Sequence, residues 1–552
     1  MKKISIILLS VIILGACSDF LELNESVYQT KDYQFSEFNR VKNVVTGVYG
    51  YVTDGLSDVE GTMLDVASDD AVYAWNTHSI RKFYDGSWSP INLIDNQWPY
   101  YYSAIRAANY FLENCPDDFP ASIYLDDYKE RMVELRNFPY EVRALRAYFH
   151  FNLLKRYNQI VIADRTYTPE EANELQPVSY QEAAEWIVAE CDSVSLHLPL
   201  NYKNTPSAEL GRVTRGMVMA LKARVLLYAA SPLNNSENMR SPWLEAAIAA
   251  KEVIELGEYE LVPEDVTNNE SALGLIFGKR NFSSNSFERA NFPIGLYLEE
   301  GNSGVCPSQN LVESFEMIDG TPFDWSNRDH RRKMMNPLER DPRFAKTVLY
   351  NGSRFKNHII ESYKNGKNGF PKEGASPTSY YLRKHIREET SLVAGNESSY
   401  SHVFPLFRYA EVLLNYAESL VEATGDPDFK GVQNGVDFTL SPREAVNLVR
   451  NRANMPSLPS MDKTQFVERL RNERRVELAF EGHRFWDIRR WKMGEESTTI
   501  YGLNITNNFD GTFTYDRIVV QDRVWDDKMY FYPIPASEIF KNNALIQNEG
   551  WN

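Results

Sequence analysis

Cysteine is scarce in this chain: there are four in 552 residues, and Cys115, Cys191 and Cys306 stand far apart. That spacing excludes a disulfide framework and a cysteine-based metal site, leaving structural thiols or one bridge among those three. Histidine numbers only eight, and no His-Glu-x-x-His occurs. Equally absent are the Gly-x-Ser-x-Gly nucleophile turn, a phosphate-cradling glycine loop and a calcium-loop pattern. No catalytic residue, metal or cofactor is expected. After the N-terminal segment no apolar run approaches the ~20 residues that span a bilayer. Positive charge is also in deficit, with 59 Lys and Arg against 76 Asp and Glu for a net charge of −17. A nucleic-acid partner is therefore disfavoured, because a polyphosphate would be repelled over most of the surface.

What is present begins with MKKISIILLSVIILGAC. Lys2 and Lys3 form a basic start, Ile4 to Leu14 are apolar, and Leu14-Gly15-Ala16-Cys17 follows. Small residues before a cysteine let the chain lie extended in a peptidase cleft. Residues 1–16 are thus expected to be a signal peptide, and Cys17 the lipidated first residue of the mature chain. The polar, aperiodic residues 17–40 are expected to tether that lipid to the body.

A hydrophobic content of 43% over this length supplies a large core. Helical periodicity fills residues 41–261. In PYEVRALRAYFHFNLLKRY, for example, Val142, Leu145, Tyr148, Phe149, Leu153 and Tyr157 recur at helical intervals. Pro116, Pro232 and Gly257 mark helix ends, and Ala104, Ala107, Ala223 and Ala229 thin the contact faces enough for close antiparallel pairs. Between 262 and 402 Gly, Asn, Ser and Pro dominate, which predicts loops with short strands. Helices return in 403–492, with Gly425 as a stop and Ser441-Pro442 as a start. Residues 493–552 read as a loop and short-strand tail in which Pro533 and Pro535 impose extended chain. The fold class expected is mostly α: a tetratricopeptide-like superhelix of helical hairpins with a loop-rich, partly β insertion carrying the ligand-binding face.

The stretch RNERRVELAFEGHRFWDIRRW, residues 471–491, is dense in charge and aromatics. On a helix Phe466, Leu470, Glu473, Glu477 and Phe480 share one face, so two carboxylates enter an apolar stripe. A carboxylate in an interior must be paired or it neutralises. Arg474 and Arg484 stand three or four positions from Glu477 and Glu481, and Arg408 three before Glu411. Structural ion pairs are expected here, and Glu418, Glu141, Arg143 and Arg146 follow the same logic. Nothing sets a carboxylate across a cleft from a second one, as glycoside hydrolysis requires. His150 and His483, each beside aromatics, are expected in the core.

The order of these elements is itself informative. A lipobox cysteine with SDFLELN is followed by WPYYYSAIRAANYFLEN, EVRALRAYFHFNLLKRYNQIV, GRVTRGMVMALKARVLLYAASP, FRYAEVLLNYAESLVEA, AVNLVRNRANM, ERRVELAFEGHRFWDIRRW and YPIPASEIFKNNALIQNEGW. This series resembles the SusD/RagB family of outer-membrane lipoproteins over nearly the whole chain. One departure is Asn158, where the family often carries glycine. The resemblance implies a surface-exposed, lipid-anchored, non-catalytic protein of the outer membrane. Such proteins capture a glycan, or in some branches a peptide, and pass it to a SusC-like TonB-dependent transporter.

The ligand loops of such proteins share no motif, so physical chemistry must nominate residues. Sugar rings need flat aromatic faces beside amides, carboxylates or arginines. SDDAVYAWNTHSIRKFYDGSWSP offers Tyr73, Trp75, Phe83, Tyr84 and Trp88 among Asp69, Asp70, Asn76 and Arg81. EMIDGTPFDWSNRD offers Asp324, Trp325 and Asn327, and NGFPKEGASPTSYYLRK adds Tyr380 and Tyr381. Trp75 and Trp325 lead these candidates. Trp98, Trp486 and Trp491 are assigned to packing. A peptide cargo would instead call for an exposed strand edge.

Overall fold

The computed structural model describes residues 30–203, 209–262, 267–508 and 510–551. The expected signal peptide, Cys17 and the tether as far as residue 29 lie outside the described residues. Helices make up 42% of the structure and the strands are few and short.

Helix α1 (Phe38–Tyr49) buries Phe38, Val41, Val45 and Val48, a spacing of three and four residues that turns one apolar face inward. The helical body therefore opens inside the segment read as tether. Next come α2 (Trp98–Asn114), α3 (Tyr128–Tyr157), α4 (Tyr180–Ser195), α5 (Arg215–Ala230) and α6 (Arg240–Glu255), each packed on its predecessor. Between Glu141 and Tyr157 nearly every residue of α3 is buried, as a helix held between α2 and α4 must be. A reciprocal capping box of Ser179 and Glu182 starts α4.

After α6 the chain leaves the stack. It returns with α7 (Tyr409–Thr424), which docks directly on α6, and α8 (Pro442–Arg452) and α9 (Lys463–Glu477) close onto α7. The Ser441–Glu444 capping box with Pro442 opens α8, and Gly425, with φ of 81°, ends α7. Helix α10 (Arg484–Arg490) follows. The fold is thus a tetratricopeptide-like stack of hairpins, with a loop-rich block inserted between two neighbours of the stack.

Antiparallel two-stranded pairs fasten that block. Strands β1 (Ala71–Tyr73) and β3 (Val305–Pro307) pair with Val72 opposite Cys306. Strands β2 (Leu275–Arg280) and β4 (Val403–Arg408) join the two ends of the insertion. In the tail, β5 (Thr499–Asn507) and β6 (Phe513–Asp522) form a longer hairpin than a short-strand tail implies.

Most of the dense charges of 471–491 are buried or half-buried and paired, with partners that differ from those suggested by spacing, whereas Arg489 donates to the Phe485 carbonyl at 3.1 Å. Arg408 reaches Glu477 at 2.6 Å and Glu481 at 2.6 Å, while Glu411 accepts from Arg224 at 2.7 Å. Arg474 pairs with Asp487 at 2.8 Å rather than with Glu477, and Arg484 crosses to Asp69 at 2.7 Å. Glu418 accepts from Arg490 at 2.6 Å and from Trp491 Nε1 at 2.7 Å. Arg143 and Arg146 both turn to Glu190, and Glu141 to Arg212. Helical spacing identifies neighbours on one surface, whereas a buried side chain meets groups on the element packed against it. Burial lowers His150 to about 4 and holds His483, beside Arg474, well below the usual imidazole range. Cys115, Cys191 and Cys306 are free thiols, so the alternative of a bridge falls away.

Candidate functional site

The segment 69–88 divides between core and surface. Asp69 and Asp70 are buried under Arg484 and Arg475, with Arg475 donating to Asp70 at 2.7 Å. A short 3₁₀ turn, Ser79–Phe83, then drives Phe83 inward, where Trp88 packs on Phe83, Tyr532 and Trp551 with ring centroids 5.0, 4.8 and 5.1 Å away. Trp88, Phe83 and Tyr84 are core residues, and their nomination as sugar platforms is corrected. The same holds for Asp70 and for the fully buried Tyr380 and Tyr381, whose hydroxyls bond Gln309 and the Asn368 carbonyl. Alternation did not forewarn of this, since a 3₁₀ turn has neither the helical nor the strand period.

Trp75, Tyr73 and Asn76 lie at the surface end of the β1–β3 ladder, Trp75 and Tyr73 half-buried and Asn76 exposed. Trp75 Nε1 donates to the Asn302 carbonyl at 2.7 Å, which fixes the indole edge. One side of its ring lies on Gly374, where a β-carbon would come within 2.8 Å of Trp75. Tyr73 packs on His78 with centroids 4.1 Å apart and ring planes tilted by 39°, and Arg81 donates to the Asn76 carbonyl at 3.0 Å.

Two insertion loops therefore clasp Trp75, one through Asn302 and the other through Gly374. A Glu300–Lys372 ion pair of 3.0 Å ties these loops together, and Glu300 also accepts from Gly295 N–H at 2.8 Å. Each loop carries an aromatic side chain in solvent: Tyr297 is 77% exposed and Phe370 68% exposed. Neither was nominated from sequence. The signal available was an aromatic beside turn residues, in PIGLYLEEGN and in the same NGFPKEG that drew attention to Tyr381 instead. The Lys372 hydrogen bond holds the Glu300 carboxyl below its ordinary value, so it stays ionised and suits hydroxyl binding rather than proton donation.

Trp325 is arranged differently. It is half-buried against the core beside Phe323, centroids 6.3 Å apart. Its polar neighbours serve the local backbone: Asn327 caps the short helix Arg328–Lys333, and Asp324 accepts from Ser326 N–H at 2.8 Å. Among the described residues no His, Cys, Asp and Glu cluster is placed to hold a metal ion, and no helix is long and apolar enough to cross a membrane.

A stack of helical hairpins opened by one inserted, loop-built face defines a class of scaffold proteins in which repeats position a variable surface. Within that class the chain belongs to the SusD family, whose model matches residues 273–551, just over half of its length. It is 34% identical over 163 residues to the SusD-like protein P2 of Formosa agariphila, a match spanning 28% of this chain and only 26% of that relative. Among solved structures, a SusD-like protein of Bacteroides fragilis superposes with a TM-score of 0.77 at 28% identity, covering 95% of this chain and 99% of that one. A SusD-like carbohydrate-binding protein of the same species gives 0.74 at 26% identity, covering 93% of this chain and 99% of the other.

Proposed function

We propose that this protein captures a glycan on the shelf around Trp75, without altering it, and delivers it to a SusC-like TonB-dependent transporter while anchored in the outer membrane by lipid on Cys17. The carrying observation is the clasp itself: three aromatic groups, Trp75, Tyr297 and Phe370, sit on surface segments held in register by Asn302, Gly374 and the Glu300–Lys372 pair. Flat apolar faces cover the C–H side of a pyranose, and nearby charged groups bond its hydroxyls. Family membership and the carbohydrate-binding relative support the same reading.

The test is calorimetric titration of the purified protein against plant, host and microbial glycans, with Trp75→Ala and Tyr297→Ala alongside. Binding to one glycan class, lost in either variant while the melting temperature holds, is the expected result. Wild-type silence across the panel combined with binding of peptides would replace the glycan by a peptide cargo. Release of reducing sugar would make the protein a glycosidase.

A further inference from the structure

We propose a second ligand site, separate from the Trp75 shelf: a basin lined by Arg343, Lys346, Lys384, Arg408 and Arg452 that binds an oxyanion, either free or borne as the carboxylate or sulfate of an acidic saccharide. The basin encloses about 400 Å³ between the short helix Pro342–Thr347 and the ends of α8 and α9. That is within the ~300–1,000 Å³ usual for small-molecule sites.

The charge balance is the second observation. Among the described residues Glu477 is the one carboxylate lining the basin, and it is already saturated, accepting from Arg408 at 2.6 Å, Arg343 at 2.9 Å and Arg452. Arg343 is further engaged by Asp341 and Glu473. Donors nevertheless remain. Lys384, 7% exposed, gives one bond of 2.7 Å to Glu481 and has two more ammonium hydrogens. Arg452 keeps a buried Nε without a hydrogen-bond partner. Lys346, exposed one helical turn after Arg343, carries no ion pair among the described residues. A buried guanidinium nitrogen without an acceptor costs free energy that an incoming oxyanion would recover.

On a chain with net charge −17 such a basin is a local reversal of sign. Non-specific attraction of anions elsewhere is therefore suppressed, which concentrates binding at this point. Asn451 and Asn454, both exposed at the rim, supply amides for the hydroxyls of an attached sugar.

The test titrates the purified protein at constant ionic strength with sulfate, glucuronate and, as the neutral control, glucose. Sulfate and glucuronate are expected to bind and to raise the melting temperature, with glucose inert at this site. Lys346→Glu, a surface change, should weaken both anions by about tenfold or more without lowering the ligand-free melting temperature. Arg452→Gln should also weaken both anions, but with some loss of ligand-free stability, because Glu477 then loses one of its three arginines; Trp75→Ala should leave anion binding intact. Sulfate binding alone would assign the site to free inorganic anion; binding of both would assign it to an acid group on a sugar. No anion-dependent heat or melting shift in the wild type, or binding indifferent to Lys346→Glu, overturns the proposal. Loss of neutral glycan binding in Trp75→Ala reports on the shelf alone, so the two proposals fail separately.

Discussion

Buried arginines are accommodated differently at the centre of the helical stack and in the insertion. In the stack, most buried arginines meet carboxylates: Arg408 with Glu477 and Glu481, Arg490 with Glu418, Arg474 with Asp487. In the insertion Arg340, fully buried, meets none. Its guanidinium donates instead to the carbonyls of Val312 and Phe315 at 2.6 Å, Met334 at 2.9 Å and Glu316 at 3.4 Å. Burial without an acid lowers it to about 10. Helices satisfy their own carbonyls, so side-chain charges in the stack are free to bind one another across elements. Irregular backbone leaves carbonyls orphaned, and there a buried arginine takes the place of missing main-chain donors. The stack is thus fixed mainly by side-chain pairs, and the insertion adds to pairs such as Glu300–Lys372 a buried arginine that holds backbone, which allows loops to be shaped without regular structure.

The largest effect should follow from breaking a stack pair. Burial alone would raise the Glu477 carboxyl, but Arg408, Arg452 and Arg343 overcome it and hold it well below the usual range. Glu477→Ala leaves Arg452 with no acid partner among the described residues and should cost about 3–5 kcal/mol in denaturant unfolding. A variant that melted at the wild-type temperature yet lost glycan would place this cluster in function rather than scaffold.

Asp65 tests whether the contact between early loops and stack follows the pairing rule. It is wholly buried, and burial, then Asp70, raises its carboxyl from 3.8 to about 7. The folded state therefore retains a proton that the unfolded chain releases near pH 4. Stability contributed by this group must fall as pH climbs from about 4 to 7, with the full cost, on the order of a few kcal/mol, present above 7. Asp65→Asn should flatten that slope, and denaturation midpoints between pH 5 and 8 measure it. An unchanged slope would mean that Asp65 has a compensating cation.

Much of this stack was legible in the letters. Helical spacing gives α3 and α9, Ser441-Pro442 gives the start of α8, and Gly425 the end of α7, because each signal is local. Partners of buried charges were not legible: Arg484 and Asp69 lie over 400 residues apart in sequence, and only the β1 region folding onto α10 joins them. The candidate site was half legible for the same reason. Trp75 stands out as an aromatic among polar residues, but its separation from Trp88 depends on one 3₁₀ turn. The loops that carry Tyr297 and Phe370 reach the Trp75 region only through contacts that have no periodicity in sequence.

Gly374→Ala sharpens the contrast from the insertion side, where loss of binding should exceed loss of stability. With φ of 75° and the indole of Trp75 within 2.8 Å of an added β-carbon, the backbone is strained and the platform must tilt. A cost of about 1–2 kcal/mol in unfolding is expected. Glycan affinity should drop by about tenfold, since a displaced platform no longer presents a preorganised face. Equal losses of stability and binding would make the clasp a packing feature only.

The smallest effect concerns the end of α3. Asn158 adopts φ 64° and ψ −58°, and Gln159 N–H donates to the Tyr157 carbonyl at 2.7 Å. That is a γ-turn of positive φ, a strained geometry whose ψ lies outside the left-handed well that asparagine tolerates. Glycine has no β-carbon to clash there. Strain of this kind costs about 1–3 kcal/mol, and the extra freedom of glycine in the unfolded chain costs about 0.5–1 kcal/mol. Relief of strain outweighs that loss of freedom, so Asn158→Gly should stabilise by about 1 kcal/mol and raise the melting temperature by roughly 2 °C. A lower melting temperature would mean that the Asn158 side chain supports the turn. The end of α3 would then be fixed, like the insertion, by a side chain holding backbone.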